Sequence, residues 1–578
     1  MASLKSFQNL RINPATNPAI LDTSTWDPDA AWRVVTGVGE SWSAAQAALS
    51  MGNHWARLPH IPLTISSVVH RGAAKLFLAG LPDGQQVFVE LGHGGGSSAL
   101  GAPLGVNRLD HGLTVAAYPT SASVVDRFCR LLAPHKGPRA MGGVPRLGIG
   151  CRMTTAVWPA AFQAMQKFAF AANPIQNSVR ELNLLDDLLA GRPPNRNYYC
   201  GFGTIETGYT GSTFEGLWVA GTLAALRERG SVRYGADADH LQVKRGPGGL
   251  ARAQQMLRAS RYYTFFTMDM ADILHYDALG TGASAEVLDH GVASSVERDA
   301  ILHDHKSPCQ VGGVTYRLSE DLINRFEAKY WDALAALETL TQEISTLKEG
   351  QPFDLEFTID EHPPEVAAFD CLTTGEELVF VLREIARRGL PVTHVAPNYG
   401  AEKGWDYRGA DGLEGLERRV KTLQAIAGEF NIMLDFHSAD DLTSPTRAAL
   451  RRATKGWLHY KISPMLPLLY ADILEKYDPE LFLSWWNDAV AYARHEAENG
   501  SAFAVECLRA YDSSLDRRPS RHHQVFHHYG FAYIGRRDQN GNFAVRDKFY
   551  TLSPEFYHAH QDYVTEYLGT LALDLFKE

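Results

Sequence analysis

The chain has 578 residues, a formal net charge of −11, 45% hydrophobic residues and 21% charged residues. That is ordinary composition for a globular protein, with enough length for one large domain plus appendages or for two or three domains. The acidic balance argues against nucleic acid as the main partner but leaves an anionic small substrate open, because local charge decides that.

No uninterrupted apolar run of about 18 residues occurs, so no membrane span is expected. Met1 to Pro18 lacks the apolar core of a signal peptide. The six cysteines (Cys129, Cys151, Cys200, Cys309, Cys371, Cys507) form no C-x-x-C pair. A reduced, cytoplasmic setting is the expectation.

Residues 1–140 read as a mixed α/β region. Lys75 to Leu78 and Gln86 to Leu91 flank Leu81-Pro82-Asp83-Gly84, the pattern of a β-hairpin. Ser121 to Leu132 has helical apolar spacing. His93-Gly94-Gly95-Gly96-Ser97-Ser98 resembles an oxyanion loop, but the chain has no Gly-x-Ser-x-Gly elbow, so it is read as a flexible loop.

After Pro145 short apolar or alternating runs recur: Arg146–Cys151, Phe168–Ile175, Arg233–His240, Tyr262–Asp269, Phe353–Glu361, Pro391–Tyr399, Phe430–Ser438 and Gly456–Ser463. Helical patterns lie between several of them, notably Leu378 to Arg388 and Leu413 to Ala427, each ended by a glycine. Eight strand–helix units predict an α/β fold: a TIM-like (β/α)8 barrel over 141–463, with long insertions at 176–232 and 270–352. Glu320 to Glu349 reads as a long helix inside the second insertion. Residues 464–578 read as a helical C-terminal extension, beginning with Pro479 to His495. Arg521 to Tyr529 holds four histidines. One continuous helix would point adjacent ones in different directions, so a surface or subunit-facing helix is expected there, which leaves a homo-oligomer open.

Side chains two apart in a strand share a face. On that rule Asp237 pairs with Asp239, and Thr267 with Asp269. Glu356, Thr358 and Asp360 form a third set, Asp435 and His437 a fourth, and His459 and Lys461 a fifth. Five strands thus carry polar groups toward their C-terminal ends, which in a barrel is the catalytic mouth. A single buried Asp or His in a barrel is more often a satisfied structural group; it is the coincidence of five that points to chemistry. His240 and Glu361, the next residues, are read as first loop positions leaning over the same mouth.

Carboxylates with imidazoles and no thiolate suit a divalent zinc, manganese, iron or nickel ion. It is placed on His240, Glu361 and His437, with His459 as a fourth candidate. Period two alone favours Asp360 over Glu361. Such an ion chelates adjacent sugar oxygens as a Lewis acid. Asp239 or Asp269 is then the proton carrier. Lys461 binds a carboxylate, stabilises an oxyanion or acts as a base of depressed pKa. No Gly-x-Gly-x-x-Gly lies between a strand and a helix, so no nucleotide cofactor is expected.

These residues resemble the tagaturonate/fructuronate epimerase family, metal-dependent enzymes that invert C4 of a keto-hexuronate. The resemblance runs from about 146 to 463. It rests on Gln176-Asn177-Ser178-Val179-Arg180-Glu181, Gly235-Ala236-Asp237-Ala238-Asp239-His240, Phe266-Thr267-Met268-Asp269 and Ile359-Asp360-Glu361. It continues through Trp405-Asp406-Tyr407-Arg408-Gly409, His437-Ser438 and His459-Tyr460-Lys461. It implies a TIM-like barrel and a divalent metal, and supports His240, Glu361 and His437 as its ligands; Arg180, Glu181, Asp237, Lys244, Asp360 and Arg447 are the expected substrate-binding residues.

The chain departs from the family pattern in places. Leu241 and Gln242 precede Val243-Lys244, Ile273 follows Asp272 where the family has His, and Asp440-Asp441 replaces a lysine. Arg447, Arg180 or Lys244 then remains to meet a uronate carboxylate. The hydrogen on C4 is not α to the keto group, so retro-aldol cleavage of C3–C4 is the expected route. A metal-dependent aldose–ketose isomerase and a non-catalytic sugar-binding protein are the competing readings.

Overall fold

The computed structural model describes residues 5–7, 10–12, 19, 27–50, 57–58, 61–93, 98–152, 156–199, 203–280, 295–360, 368–402, 404–437 and 439–577. Near the N-terminus two helices, Pro28–Gly37 and Ser41–Ser50, lie on an antiparallel sheet. Its strands are β1 (Arg57–Leu58), β2 (Ile61–Arg71), β3 (Ala74–Gly80), β4 (Gln86–His93), β5 (Gly105–Arg108) and β6 (Leu113–Pro119), in the order β1-β2-β3-β4-β6-β5. The hairpin expected from Pro82-Asp83-Gly84 joins β3 to β4, with Lys75 opposite Leu91 and Gly80 opposite Gln86. Strand alternation divides the sheet. Phe77, Val87, Val89 and Val115 pack with Val35 and Trp42 beneath the two helices. Leu76, Leu78, Phe88 and Tyr118 face the other way, into a core shared with the rest of the chain. The Gly-rich segment after His93 lies at 94–97, outside the described residues.

The centre is a closed barrel of eight parallel strands: β7 (Arg146–Gly150), β8 (Ala171–Ser178), β9 (Tyr234–Gln242), β10 (Phe265–Asp269), β11 (Asp354–Ile359), β12 (His394–Pro397), β13 (Met433–Phe436) and β14 (Leu458–Ile462). They pair in sequence order, and β14 closes on β7. Each overlaps one of the eight expected segments. Parallel barrel strands are covered on both faces, so they read as buried runs.

Two strands depart from the expectation. β8 continues to Ser178, after a register shift between Ala172 and Ile175 that contains Pro174. Proline has no N–H to give the ladder, and bulges are where sheets accept it. β9 runs on to Gln242, past a second shift between Ala238 and Leu241. His240 therefore lies inside the strand, not at the first loop position.

Helices Val157–Phe168, Phe214–Arg227, Gly249–Ala259, Glu320–Lys348, Gly375–Arg387, Gly412–Glu429 and Ser444–Thr454 connect the strands, and Met465–Tyr477 follows β14. Gly375–Arg387 starts in a capping box: Thr374 accepts from the Glu377 N–H while the Glu377 carboxylate reaches back to the Thr374 N–H. Below the barrel, buried Arg146 pairs with Asp354 at 2.8 Å. Asp354 also accepts the N–H groups of Met141 and Gly142, both at 2.9 Å.

The C-terminal helices Pro479–Glu498, Ala502–Asp512 and Gln524–Tyr529 form a second aromatic core around Trp485, Trp486 and Phe526. The helix expected at the surface or at a subunit contact is thus an inward one. Val525, Phe526, His528 and Tyr529 are buried, because its aromatic positions outweigh its histidines. The last helix, Pro554–Phe576, lies so close to Val157–Phe168 that a Cβ on Gly569 would sit 2.2 Å from the Phe168 ring. No helix among the described residues is long and apolar enough to cross a membrane.

Candidate active site

Lys461 stands at the centre of the upper barrel. Its ammonium donates to Asp239 Oδ1 (2.9 Å), Glu356 Oε2 (2.6 Å) and Thr267 Oγ1 (2.6 Å), and lies 3.3 Å from Asp237 and 3.7 Å from Asp435. These partners come from β9, β10, β11 and β13. Each is the inward position that period-two alternation selects, and each is buried. The Phe265 ring floors the group. His394 and His459 lie edge-on to it at 4.8 and 5.1 Å, and the Lys461 ammonium lies over it at 5.2 Å.

Above Lys461 two imidazoles meet. The rings of His240 and His437 are 4.8 Å apart, and together with Asp239 they bring three ligand atoms within 4.8 Å of one another. The bulge in β9 makes this possible. His240 has φ +50°, so Asp239 and His240, adjacent in sequence, both reach the mouth. His240 Nδ1 is 3.2 Å from Asp269 Oδ2, which also accepts from Gln242 at 2.9 Å. Asp269 is therefore an orienting partner of His240. His437 Nε2 is 2.6 Å from Glu356 Oε1, and its Nδ1 is 3.1 Å from Asp360, off hydrogen-bond alignment.

Four carboxylates around one ammonium in a region closed to solvent leave excess negative charge. Burial and the neighbouring Asp239 and Glu356 push Asp237 up to about 7 against the pull of Lys461. Asp239 goes the other way: burial opposes its ionisation, but Lys461, His240 and His437 hold it down to about 2. Burial alone would lower Lys461, yet Asp237, Asp239, Glu356 and Asp435 hold it well above the usual lysine range. In this arrangement the surrounding carboxylates favour the charged form of Lys461.

His459, expected as a fourth ligand, sits a layer lower in a different trio with Glu356 and Asp435. It lies 2.7 Å from Asp435, but among the described residues neither ring nitrogen has an aligned hydrogen-bond partner, nor does either oxygen of Asp435. Burial, with Lys461 and Arg146 nearby, drives its pKa well down. At the upper cluster, nitrogen and oxygen donors without thiolate and the buried His437 Nδ1, which has no hydrogen-bond partner among the described residues, fit a divalent cation.

The other expected residues are dispersed. Glu361 lies outside the described residues. Lys244 is half-buried just past β9. Arg447 is bound to Asp574 of the last helix at 2.7 Å and to the Leu442 carbonyl, so it braces the C-terminal helix. Arg180 and Glu181 follow β8 and line the cleft above the imidazoles with Asp239, His240, His437 and Lys461. The Asp440-Asp441 pair does backbone work. Asp440 Oδ2 accepts from Ser463 and Met465 at 2.8 and 2.9 Å, and Asp441 accepts from Gly404 at 2.9 Å.

Arg152 also lines the cleft and was missed from the sequence. Its signal was its place, two residues beyond the end of β7, at a strand end like those that carry the other polar groups.

Residues 204–571 match a family model described as UxaE, tagaturonate epimerase. Among solved structures, a glycerol complex of fructuronate-tagaturonate epimerase UxaE from Cohnella laeviribosi is 20% identical with a TM-score of 0.66. It covers 92% of this chain and 99% of that one. The native structure of the same enzyme is 19% identical with a TM-score of 0.64 and the same coverage. At that identity the likeness speaks for the fold. No curated protein sequence matches the chain.

Proposed function

The chain belongs to the tagaturonate epimerase family, and from that premise we propose that it interconverts tagaturonate and fructuronate by inverting C4 at the barrel mouth, with a divalent cation. The observation that carries this reading is the placement of His240, His437 and Asp239 directly above the carboxylate-ringed Lys461. His240 and His437 would hold the ion, joined by Glu361 as the family resemblance implies, with the Asp239 carboxylate beside them. When bound, the ion supplies Lewis-acid polarisation of adjacent sugar oxygens.

The chain's own residues do the rest. Asp239 is the carboxylate that both lines the cleft and touches Lys461. It accepts the C4 hydroxyl proton as the C3–C4 bond breaks. That electron pair moves toward the C2 carbonyl, leaving a three-carbon enediolate and a three-carbon aldehyde. The aldehyde presents its other face, C3–C4 re-forms, and the proton returns to the C4 oxygen. Lys461, held charged throughout, faces the negative charge that develops on the C2 oxygen. Asp269 keeps His240 in place, while Thr267 and Glu356 fix Lys461. The buried free thiols of Cys129, Cys151 and Cys507 support a reducing, cytoplasmic setting.

Isotope placement tests the route. In heavy water the C4 hydrogen travels with the aldehyde and does not exchange, so the epimer should keep protium at C4. Solvent deuterium at C4 would contradict cleavage between C3 and C4. Chelation should abolish turnover, and returning a divalent ion should restore it.

A further inference from the structure

Resting on the epimerase reading of this mouth, we propose that Arg152 is the residue that recognises the substrate's carboxylate and so makes the site select sugar acids over neutral sugars. Its guanidinium is mostly buried, with 14% of the side chain exposed, and it lines the same cleft as the imidazole pair. Nε donates to Glu181 Oε1 at 2.9 Å. The two terminal nitrogens have no hydrogen-bond partner among the described residues. A guanidinium fixed through Nε and open along its outer edge presents two parallel N–H groups, the geometry that reads a carboxylate in bidentate fashion.

The support behind Arg152 is itself built. Glu181 Oε1 also accepts from the Tyr209 hydroxyl at 2.8 Å, and Glu181 Oε2 accepts from the Ser178 N–H at 3.2 Å. Tyr209 comes from the insertion between β8 and β9, so that long connection has a purpose at the site: it locks Glu181, and Glu181 locks Arg152. Arg180 lies in the same cleft. Asp440 and Asp441 act on the Arg152 charge from nearby, but neither hydrogen-bonds to the guanidinium: Asp440 Oδ2 accepts the Ser463 and Met465 N–H groups and Asp441 the Gly404 N–H. Arg447, with its charge met by Asp574, has no part in this.

The test is to titrate the metal-loaded enzyme with D-galactonate and with galactitol, which share a carbon chain and differ in the carboxylate. Neither has a C2 ketone, so neither turns over. The wild type should prefer galactonate by about tenfold or more, and Arg152→Met should erase that preference while leaving galactitol affinity unchanged. Arg152→Lys, which keeps the charge without the fork, should fall between. Tyr209→Phe should lower the preference without touching galactitol affinity, an effect that a purely structural role would not produce.

No preference in the wild type, or a preference that survives in Arg152→Met, overturns the proposal. If Arg152→Met does not fold, Arg152→Lys and Tyr209→Phe decide it, and a full preference in both overturns it. Turnover of tagaturonate in the same preparation separates the two claims. An Arg152-dependent preference without turnover removes the epimerase reading and leaves Arg152 standing; turnover with an Arg152-independent preference does the reverse.

Discussion

His240 owes its place to one backbone torsion. Without the φ of +50° and the slip in pairing after Ala238, the alternation that aims Asp237 and Asp239 inward would turn residue 240 outward. Period-two reading could find Asp237, Asp239, Thr267, Glu356, Asp435, His437 and Lys461, because those strands are regular where they carry them. It could not find the bulge, which has no composition of its own, so His240 was expected in the loop. Nor could it find the depth that separates His459 from the imidazole pair, because depth depends on how neighbouring strands are staggered. Asp269 is an orienting residue by the same geometry, 3.2 Å from the His240 ring. Asp269→Ala should weaken metal binding about 10- to 100-fold, measured by competition with a chelating dye. Affinity unchanged from wild type would remove His240 from the ligand set.

Among the barrel strands, β7 leaves little room. Gly148 points into the barrel, where a Cβ would lie 2.3 Å from Gln176 Oε1 and 2.8 Å from Lys461 Cγ. Gly148→Val should cost about 1–3 kcal/mol of stability and displace Lys461. Denaturant midpoints and turnover should therefore fall together, and a stable, active variant would mean that the strand can give.

Outside the barrel, helices Ser295–Lys306 and Gly375–Arg387 are joined at a buried carboxylate. Glu384 lies 2.9 Å from His305 and 2.6 Å from Arg387. Burial opposes its charge, but His305 and Arg387 prevail and bring its pKa to about 2. A folded-state pKa below the unfolded value of about 4.3 contributes stability that is present above that value and is lost as pH falls toward 2. The stability gap between wild type and Glu384→Gln, read from urea midpoints, should therefore shrink from pH 6 to pH 2. A gap independent of pH would contradict the assignment. Both helices were separable in the sequence only in part. Glycine stops and spacing marked Gly375–Arg387, whereas a short charged helix such as Ser295–Lys306 has no apolar stripe to reveal it.

For the whole molecule, eight parallel strands in a closed barrel were legible because buried strands write themselves as short apolar runs that end in polar groups. What packs around the barrel was less legible. The histidine-rich helix Gln524–Tyr529 read as a surface or subunit-facing one because adjacent histidines point in different directions, and only its contacts with Trp485 and Trp486 show why it is buried. Arg447 looked like a substrate ligand until Asp574, more than a hundred residues later, came to meet it. Long-range partners of that kind leave no local pattern.

The molecule-wide claim is that this architecture epimerises a keto-hexuronate with the help of a metal. The most direct measurement is carbon NMR of D-tagaturonate, D-fructuronate, D-tagatose and D-fructose, each incubated with metal-loaded and with chelated protein. The account expects the C4 epimer to appear from the two sugar acids with the metal-loaded protein alone. A shifted carbonyl would point to an isomerase, and four unchanged spectra would contradict the account outright.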